Sequence, residues 1–115
     1  MDNEKKAVLF YVMQGEMMCV QHVFLNALDL FAKGHAVSII FEGQSVKLPP
    51  QIDGKNALYD RCKREGLIAG VCKACSAQLG SLEANEQLGL TILDDMNGHA
   101  GMRRYLEDGY EVVLF

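Results

Sequence analysis

Apolar residues fall into short continuous runs, separated by longer stretches in which they recur every three or four positions. The runs at 7–12, 36–41 and 67–72 contain β-branched residues, with aromatic residues in the first two, and carry no charge, a pattern typical of strands covered on both faces. Two further runs, at 90–93 and 110–115, predict a weak fourth strand and a closing fifth strand.

The first helix is predicted from the apolar period that follows the first run. Val20, Val23, Phe24 and Ala27 are spaced three or four residues apart, which places them on one helical face. The period extends over 17–33 and is followed by a glycine, which is a common signal for the C-terminus of a helix, so it predicts a helix over this range.

Three more helices are predicted, over 55–65, over 81–88 and from 97 or 98 to 108. The residue at 81 is a serine, which favours a helix N-cap. The segment 43–54 contains Pro49-Pro50 and is predicted to be a loop, because proline continues neither a helix nor a central strand.

This alternation of strands and helices predicts the α/β class. Parallel neighbouring strands need crossover connections, so the order indicates a mainly parallel five-stranded sheet between helices. We expect one domain over 1–115, a three-layer sandwich of flavodoxin-like or Rossmann-like type. In such sheets the ligand site lies beyond the carboxyl ends of the strands, which nominates the loops at 14–18, 72–76 and 94–99.

The closing strand has no helix after it, so part of the sheet is expected to lack cover within one chain. Apolar surface left in this way is often buried by a second subunit. The sequence therefore predicts a homo-oligomer.

Composition excludes several classes of partner and ligand. The net charge is −4 and the basic residues are scattered, so no nucleic-acid surface is expected. The longest early apolar run, 7–13, is too short to span a bilayer, and we expect a soluble cytoplasmic protein with no membrane partner. The chain contains neither a glycine-rich phosphate loop nor a serine nucleophile elbow, and we predict no cofactor.

The strongest chemical signal is the pair Cys72 and Cys75, at the turn between the third strand and the following helix. A helix N-terminus carries free N–H groups and partial positive charge, so we expect a reactive thiolate there. No export signal is recognised in the sequence, so the four cysteines are expected to be reduced thiols.

Three segments resemble the DsrE/DsrF-like family over essentially the whole chain. They are the cysteine turn 74–80, the strand end Phe41-Glu42-Gly43 before the proline segment, and Gly98-His99-Ala100-Gly101-Met102, with the closing strand 109–115 alongside them. The resemblance implies a small α/β domain that forms homo-oligomers or hetero-oligomers, such as trimers or hexamers. It also implies that Cys75 carries a persulfide in sulfur relay, as a sulfurtransferase or persulfide carrier that exchanges sulfur with a donor or acceptor protein.

The roles of the other candidate residues stay open. Cys72 is interpreted as a packed strand-end residue, a resolving thiol or a metal ligand. His99 is interpreted as a surface residue or as a proton acceptor or hydrogen-bond donor to Cys75. Cys19 is either packed or at the same rim, and Cys62 is expected in the core.

The Cys72 and Cys75 pair is also consistent with a dithiol redox site that cycles a disulfide. Two further alternatives to sulfur relay follow from the residues. One Cys-x-x-Cys pair supplies half of a tetrahedral zinc site, and only Cys19, His22 and His99 offer further nitrogen or sulfur ligands, so no metal site is predicted. The second alternative is a non-catalytic oligomeric module whose methionine-rich rim binds a small ligand.

Overall fold

The computed structural model describes residues 4–115 and contains one sheet of five parallel strands, in the order β4-β3-β2-β1-β5. Helices pack on the sheet to form a three-layer α/β sandwich, as predicted. The strands are β1 (Ala7–Val12), β2 (Ala36–Phe41), β3 (Ile68–Cys72), β4 (Ile92–Leu93) and β5 (Glu111–Leu114).

Six α-helices and one 3-10 helix connect the strands within the described part of the chain. The α-helices are α1 (Met17–Ala32), α2 (Leu48–Ile52), α3 (Ala57–Arg64), α4 (Lys73–Gln78), α5 (Leu82–Gln87) and α6 (Arg103–Glu107). None of the helices between residues 4 and 115 is long and apolar enough to cross a membrane.

The core lies between the central strands and the first helices. An aromatic cluster of Phe24, Phe41 and Tyr59, all fully buried, joins α1 and α3 to the end of β2. Their ring centroids are 5.8 to 6.4 Å apart in tilted or edge-to-face contacts, a favourable geometry for aromatic pairs. This packing holds the carboxyl end of β2 in place, next to the site described below.

The prediction of a loop over 43–54 is wrong. The segment forms the 3-10 helix Gly43–Lys47 and then α2, with Pro49 and Pro50 in the first turn of α2. Proline is tolerated there because the first N–H groups of a helix have no partner within the helix.

The prediction of a helix from 97 or 98 to 108 is also wrong over its first half. Asn97 and Gly98 both have positive φ, of 51° and 87°, and Met96 pairs with His99 in an antiparallel bridge. Asn-Gly favours this tight turn over a helix, so α6 begins only at Arg103. His99 therefore lies in a turn and not at a helix start.

The other element boundaries agree with the predicted ones to within a few residues. The capping of one helix differs from the prediction. Ser81 occupies the N-cap of α5, but its hydroxyl donates to the carbonyl groups of Val46 and Ser76 and does not cap the helix. The weak fourth strand is shorter than predicted, with two residues.

Candidate functional site

The carboxyl edge of the sheet brings together four side chains from three connections. Glu42 follows β2, Cys72 and Cys75 lie at the β3–α4 turn, and His99 follows β4. One donor atom from each residue lies within 4.8 Å of the donor atoms of the other three. We call these four residues the thiol cluster.

The two cysteines occupy different environments although they are three residues apart. Cys72 ends β3, is fully buried and is the N-cap of α4, where its Sγ accepts a hydrogen bond from the Cys75 N–H at 3.4 Å. Cys75, in the first turn of α4, is only partly buried. Packing accounts for the position of Cys72, but its sulfur also faces the cluster, 3.3 Å from His99 Nδ1.

Glu42 is the residue that sequence reasoning missed as a site residue. Its side chain is 4% exposed, and its Oε1 accepts from Cys75 Sγ at 2.7 Å and from the Gly43 N–H at 3.0 Å. Its backbone N–H donates to Ser45 Oγ, which fixes the start of the 3-10 helix. The signal available in the sequence was an acidic residue directly after a buried strand, at the edge that binds ligands.

His99 is held by its neighbours in the turn. The Ala74 N–H donates to the Gly98 carbonyl, which ties the turn to α4, and the Tyr11 hydroxyl lies 2.8 Å from the Ala100 carbonyl oxygen. His99 Nδ1 then lies 3.5 Å from Cys75 Sγ and 3.6 Å from Glu42 Oε1. The sequence-predicted residues Cys72, Cys75 and His99 are thus brought together.

The electrostatics of the cluster correct the expectation of a thiolate. Burial, followed by the hydrogen bond to Glu42, raises the pKa of the Cys75 thiol to about 12, and the same two causes raise the pKa of Cys72. Burial pushes the pKa of Glu42 upward, but the hydrogen bonds from Cys72, Cys75, Gly43 and Tyr11 outweigh it and lower that pKa. The short helix α4 does not overcome the adjacent buried carboxylate, so the negative charge rests on Glu42.

Two cavities open near this edge. One, of about 160 Å³, is lined by Gly43, Gln44, Cys75, Gln78 and Leu79, so Cys75 borders a space that a small ligand can enter. The second, of about 440 Å³, is lined by Asp95, Met96, Gly101, Met102, Arg103 and Leu106.

The remaining cysteine and histidine candidates are not in the thiol cluster. Cys62 is fully buried in α3, as predicted, and burial raises its pKa to about 11. Cys19 and His22 lie on α1, and neither contributes a donor atom to the cluster.

Two archaeal proteins are similar to this chain. An uncharacterized protein of Methanocaldococcus jannaschii is 28% identical over 108 residues, which are 90% of this chain and 86% of that protein. An uncharacterized protein of Archaeoglobus fulgidus is 43% identical over 37 residues, which are 32% of this chain and all of that protein. This chain belongs to the same family as the Archaeoglobus protein. Neither protein's name states an activity. The chain matches no protein-family model and no solved structure.

Proposed function

We propose that this protein handles sulfane sulfur, with Cys75 as the acceptor that carries it as a persulfide. The observation that carries the proposal is the position of Cys75, a partly buried residue that lines a cavity and whose sulfur contacts both a carboxylate and an imidazole. The resemblance to the DsrE/DsrF-like family points to the same residue.

The proposed loading step starts with removal of the Cys75 proton. His99 Nδ1, 3.5 Å from the sulfur, accepts the proton, and the Glu42 carboxylate 3.6 Å from that nitrogen stabilises the imidazolium. The Cys75 thiolate then attacks the outer sulfur of a donor persulfide. The sulfur–sulfur bond of the donor breaks, the donor thiolate leaves with the electron pair, and a persulfide remains on Cys75.

Unloading has two chemically balanced routes. A thiolate of an acceptor protein attacks the outer sulfur, which forms the acceptor persulfide and regenerates the Cys75 thiolate. Alternatively, Cys72 attacks the inner sulfur as a resolving thiol, which releases hydrosulfide and leaves a Cys72–Cys75 disulfide. That disulfide returns to the two thiols by exchange with an external dithiol reductant.

The test compares sulfane sulfur bound per chain in matched cysteine variants after exposure to inorganic polysulfide. The metal-free, reduced protein and Cys19→Ser are expected to bind equal amounts, whereas Cys75→Ser binds little. His99→Ala is expected to load slowly, with His22→Ala as its matched control. Equal sulfur uptake by Cys75→Ser and the unchanged chain would contradict the proposal.

The larger cavity favours a second candidate, a ligand-binding module. Met96, Met102 and Leu106 give that cavity an apolar lining, and Arg103 and Asp95 add charge. None of the four thiol-cluster residues lines it. On this account Cys75→Ser leaves ligand binding unchanged, whereas Met102→Arg abolishes it.

We also propose that the protein is a homo-oligomer, a trimer or hexamer by the family resemblance. The edge strand β5 exposes Val113 and Leu114, with 66% of Leu114 accessible, which supports a subunit contact at this edge. A cytoplasmic location stays a prediction.

A further inference from the structure

The donor atoms of the thiol cluster are a complete set for one metal ion. Two thiol sulfurs, one imidazole nitrogen and one carboxylate oxygen converge from the ends of β2 and β3 and the turn after β4. From the sequence, Cys19, His22 and His99 were the candidates to complete the cysteine pair. Glu42 was not among them because it comes from a distant part of the chain.

Three distances between the donor atoms match edges of a tetrahedron around zinc. With Zn–S of about 2.3 Å and Zn–N or Zn–O of about 2.0–2.1 Å, a tetrahedral ion separates sulfur from nitrogen by about 3.5 Å and nitrogen from oxygen by about 3.4 Å. The cluster has Cys72 Sγ and Cys75 Sγ at 3.3 and 3.5 Å from His99 Nδ1, and Glu42 Oε1 at 3.6 Å from it.

A fourth distance is shorter than the corresponding edge of the tetrahedron. Glu42 Oε1 is 2.7 Å from Cys75 Sγ, where a shared ion requires about 3.5 Å. Insertion of an ion replaces this hydrogen bond, because the thiol loses its proton and both atoms turn toward the metal.

Outer contacts already orient the ligands. The Cys75 N–H donates to Cys72 Sγ, the Gly43 N–H donates to Glu42 Oε1, and the Tyr11 hydroxyl lies 3.2 Å from Glu42 Oε2. Such contacts fix ligand geometry in metal sites and favour the deprotonated ligands.

We propose that Glu42, Cys72, Cys75 and His99 bind one Zn²⁺ ion in a tetrahedral site. Binding forms two zinc–thiolate bonds, releases the two thiol protons to solvent and involves no redox change. The inference goes beyond sulfur handling and does not rest on it. The two states exclude each other, because a Cys75 sulfur bound to zinc is not free to accept sulfur.

The test titrates Co²⁺, as a spectroscopic probe, and then Zn²⁺ into the metal-free, reduced full chain under anaerobic conditions. We expect one equivalent of Co²⁺, with thiolate charge-transfer bands and the intense visible absorption of a tetrahedral site, displaced by one equivalent of Zn²⁺. Cys72→Ser and Cys75→Ser lose the charge-transfer intensity, and Glu42→Gln and His99→Ala weaken affinity.

Matched controls separate the site from general effects. Cys19→Ser, His22→Ala and Glu83→Gln lie outside the cluster and are expected to bind as the unchanged chain does, whereas Tyr11→Phe, an outer contact, weakens binding roughly 10–100-fold. Circular dichroism establishes that each variant is folded.

Binding of Co²⁺ without thiolate charge-transfer bands would overturn the zinc proposal. An equal loss of these bands in Cys19→Ser and Cys75→Ser would overturn it as well. Sulfur uptake is measured on metal-free protein with chelator present, so its failure is read independently of metal binding. Zinc-loaded protein is expected to take up no sulfur on Cys75.

Discussion

Thiol–disulfide exchange at Cys75 offers a quantitative test of the cluster's electrostatics. Burial and the Glu42 hydrogen bond raise the pKa of this thiol from 9.0 to about 12, which reduces its thiolate about 1000-fold at pH 7. A thiolate of higher pKa is the better nucleophile, and a Brønsted coefficient of about 0.4–0.5 makes each Cys75 thiolate roughly 15- to 30-fold more reactive. We therefore predict exchange roughly 30- to 60-fold slower than at an unperturbed cysteine.

The assay follows reaction of metal-free, reduced protein with a small aromatic disulfide, read at Cys75 by peptide mass spectrometry. An unstructured peptide of residues 73–80, which contains only Cys75, provides the unperturbed reference. The protein rate is expected to keep rising with pH above 9, where the peptide rate levels off.

Glu42→Gln separates electrostatics from simple shielding. Loss of the buried carboxylate removes a cause of the raised pKa, so the exchange rate of Cys75 at pH 7 is expected to increase. Exchange at Cys75 as fast as in the peptide, with no response to Glu42→Gln, would refute the reasoning.

Three further predictions concern stability and assembly. Gly43→Ala is expected to lower the unfolding free energy by about 2 kcal/mol or more, because a left-handed φ costs about 1–2 kcal/mol and the new Cβ would lie 2.8 Å from the Met13 carbonyl oxygen. Gly54→Ala, whose new Cβ would have no atom within 4 Å, is expected to cost less in the same urea titration. The lowered pKa of Glu42 contributes stability that is present above its unfolded pKa of about 4.5 and is lost as pH falls through the folded value. Glu42→Gln is therefore expected to flatten the dependence of Tm on acidic pH, and an unchanged pH profile of Tm would contradict this. Light scattering is expected to give an oligomer mass that Leu114→Glu reduces, and a monomer mass for the unchanged chain would remove the subunit proposal.

The strands and the long helices follow from local patterns. Continuous apolar runs predicted β1 and β2 at their observed bounds, because both faces of these strands are covered. The period of three and four residues predicted α1 to within one residue. These elements are set by burial, which the sequence displays directly.

The errors arose where a local signal was ambiguous. Pro49-Pro50 predicts a break, although proline also fits a first helical turn. Asn97-Gly98 predicts a helix start, although Asn-Gly also favours a tight turn with positive φ. Each pattern supports two local structures, and the neighbouring contacts decide between them.

The site was only partly predictable because its residues meet through the fold. The loop rule placed Cys72, Cys75 and His99 at one edge, but Glu42 became visible as a partner only once β2 and β3 were neighbours. The same residue reverses the expected direction of the thiol pKa. A helix N-terminus can be found in a sequence, whereas a buried carboxylate 2.7 Å from a sulfur cannot.

Peptide mass spectrometry after polysulfide exposure tests the central claim most directly. The metal-free, reduced chain is treated with polysulfide and alkylated, and the mass of each cysteine peptide is measured. The account predicts one or more added sulfur atoms on Cys75 and little on Cys19 or Cys62. No added sulfur on Cys75, or equal addition at all cysteines, would contradict it.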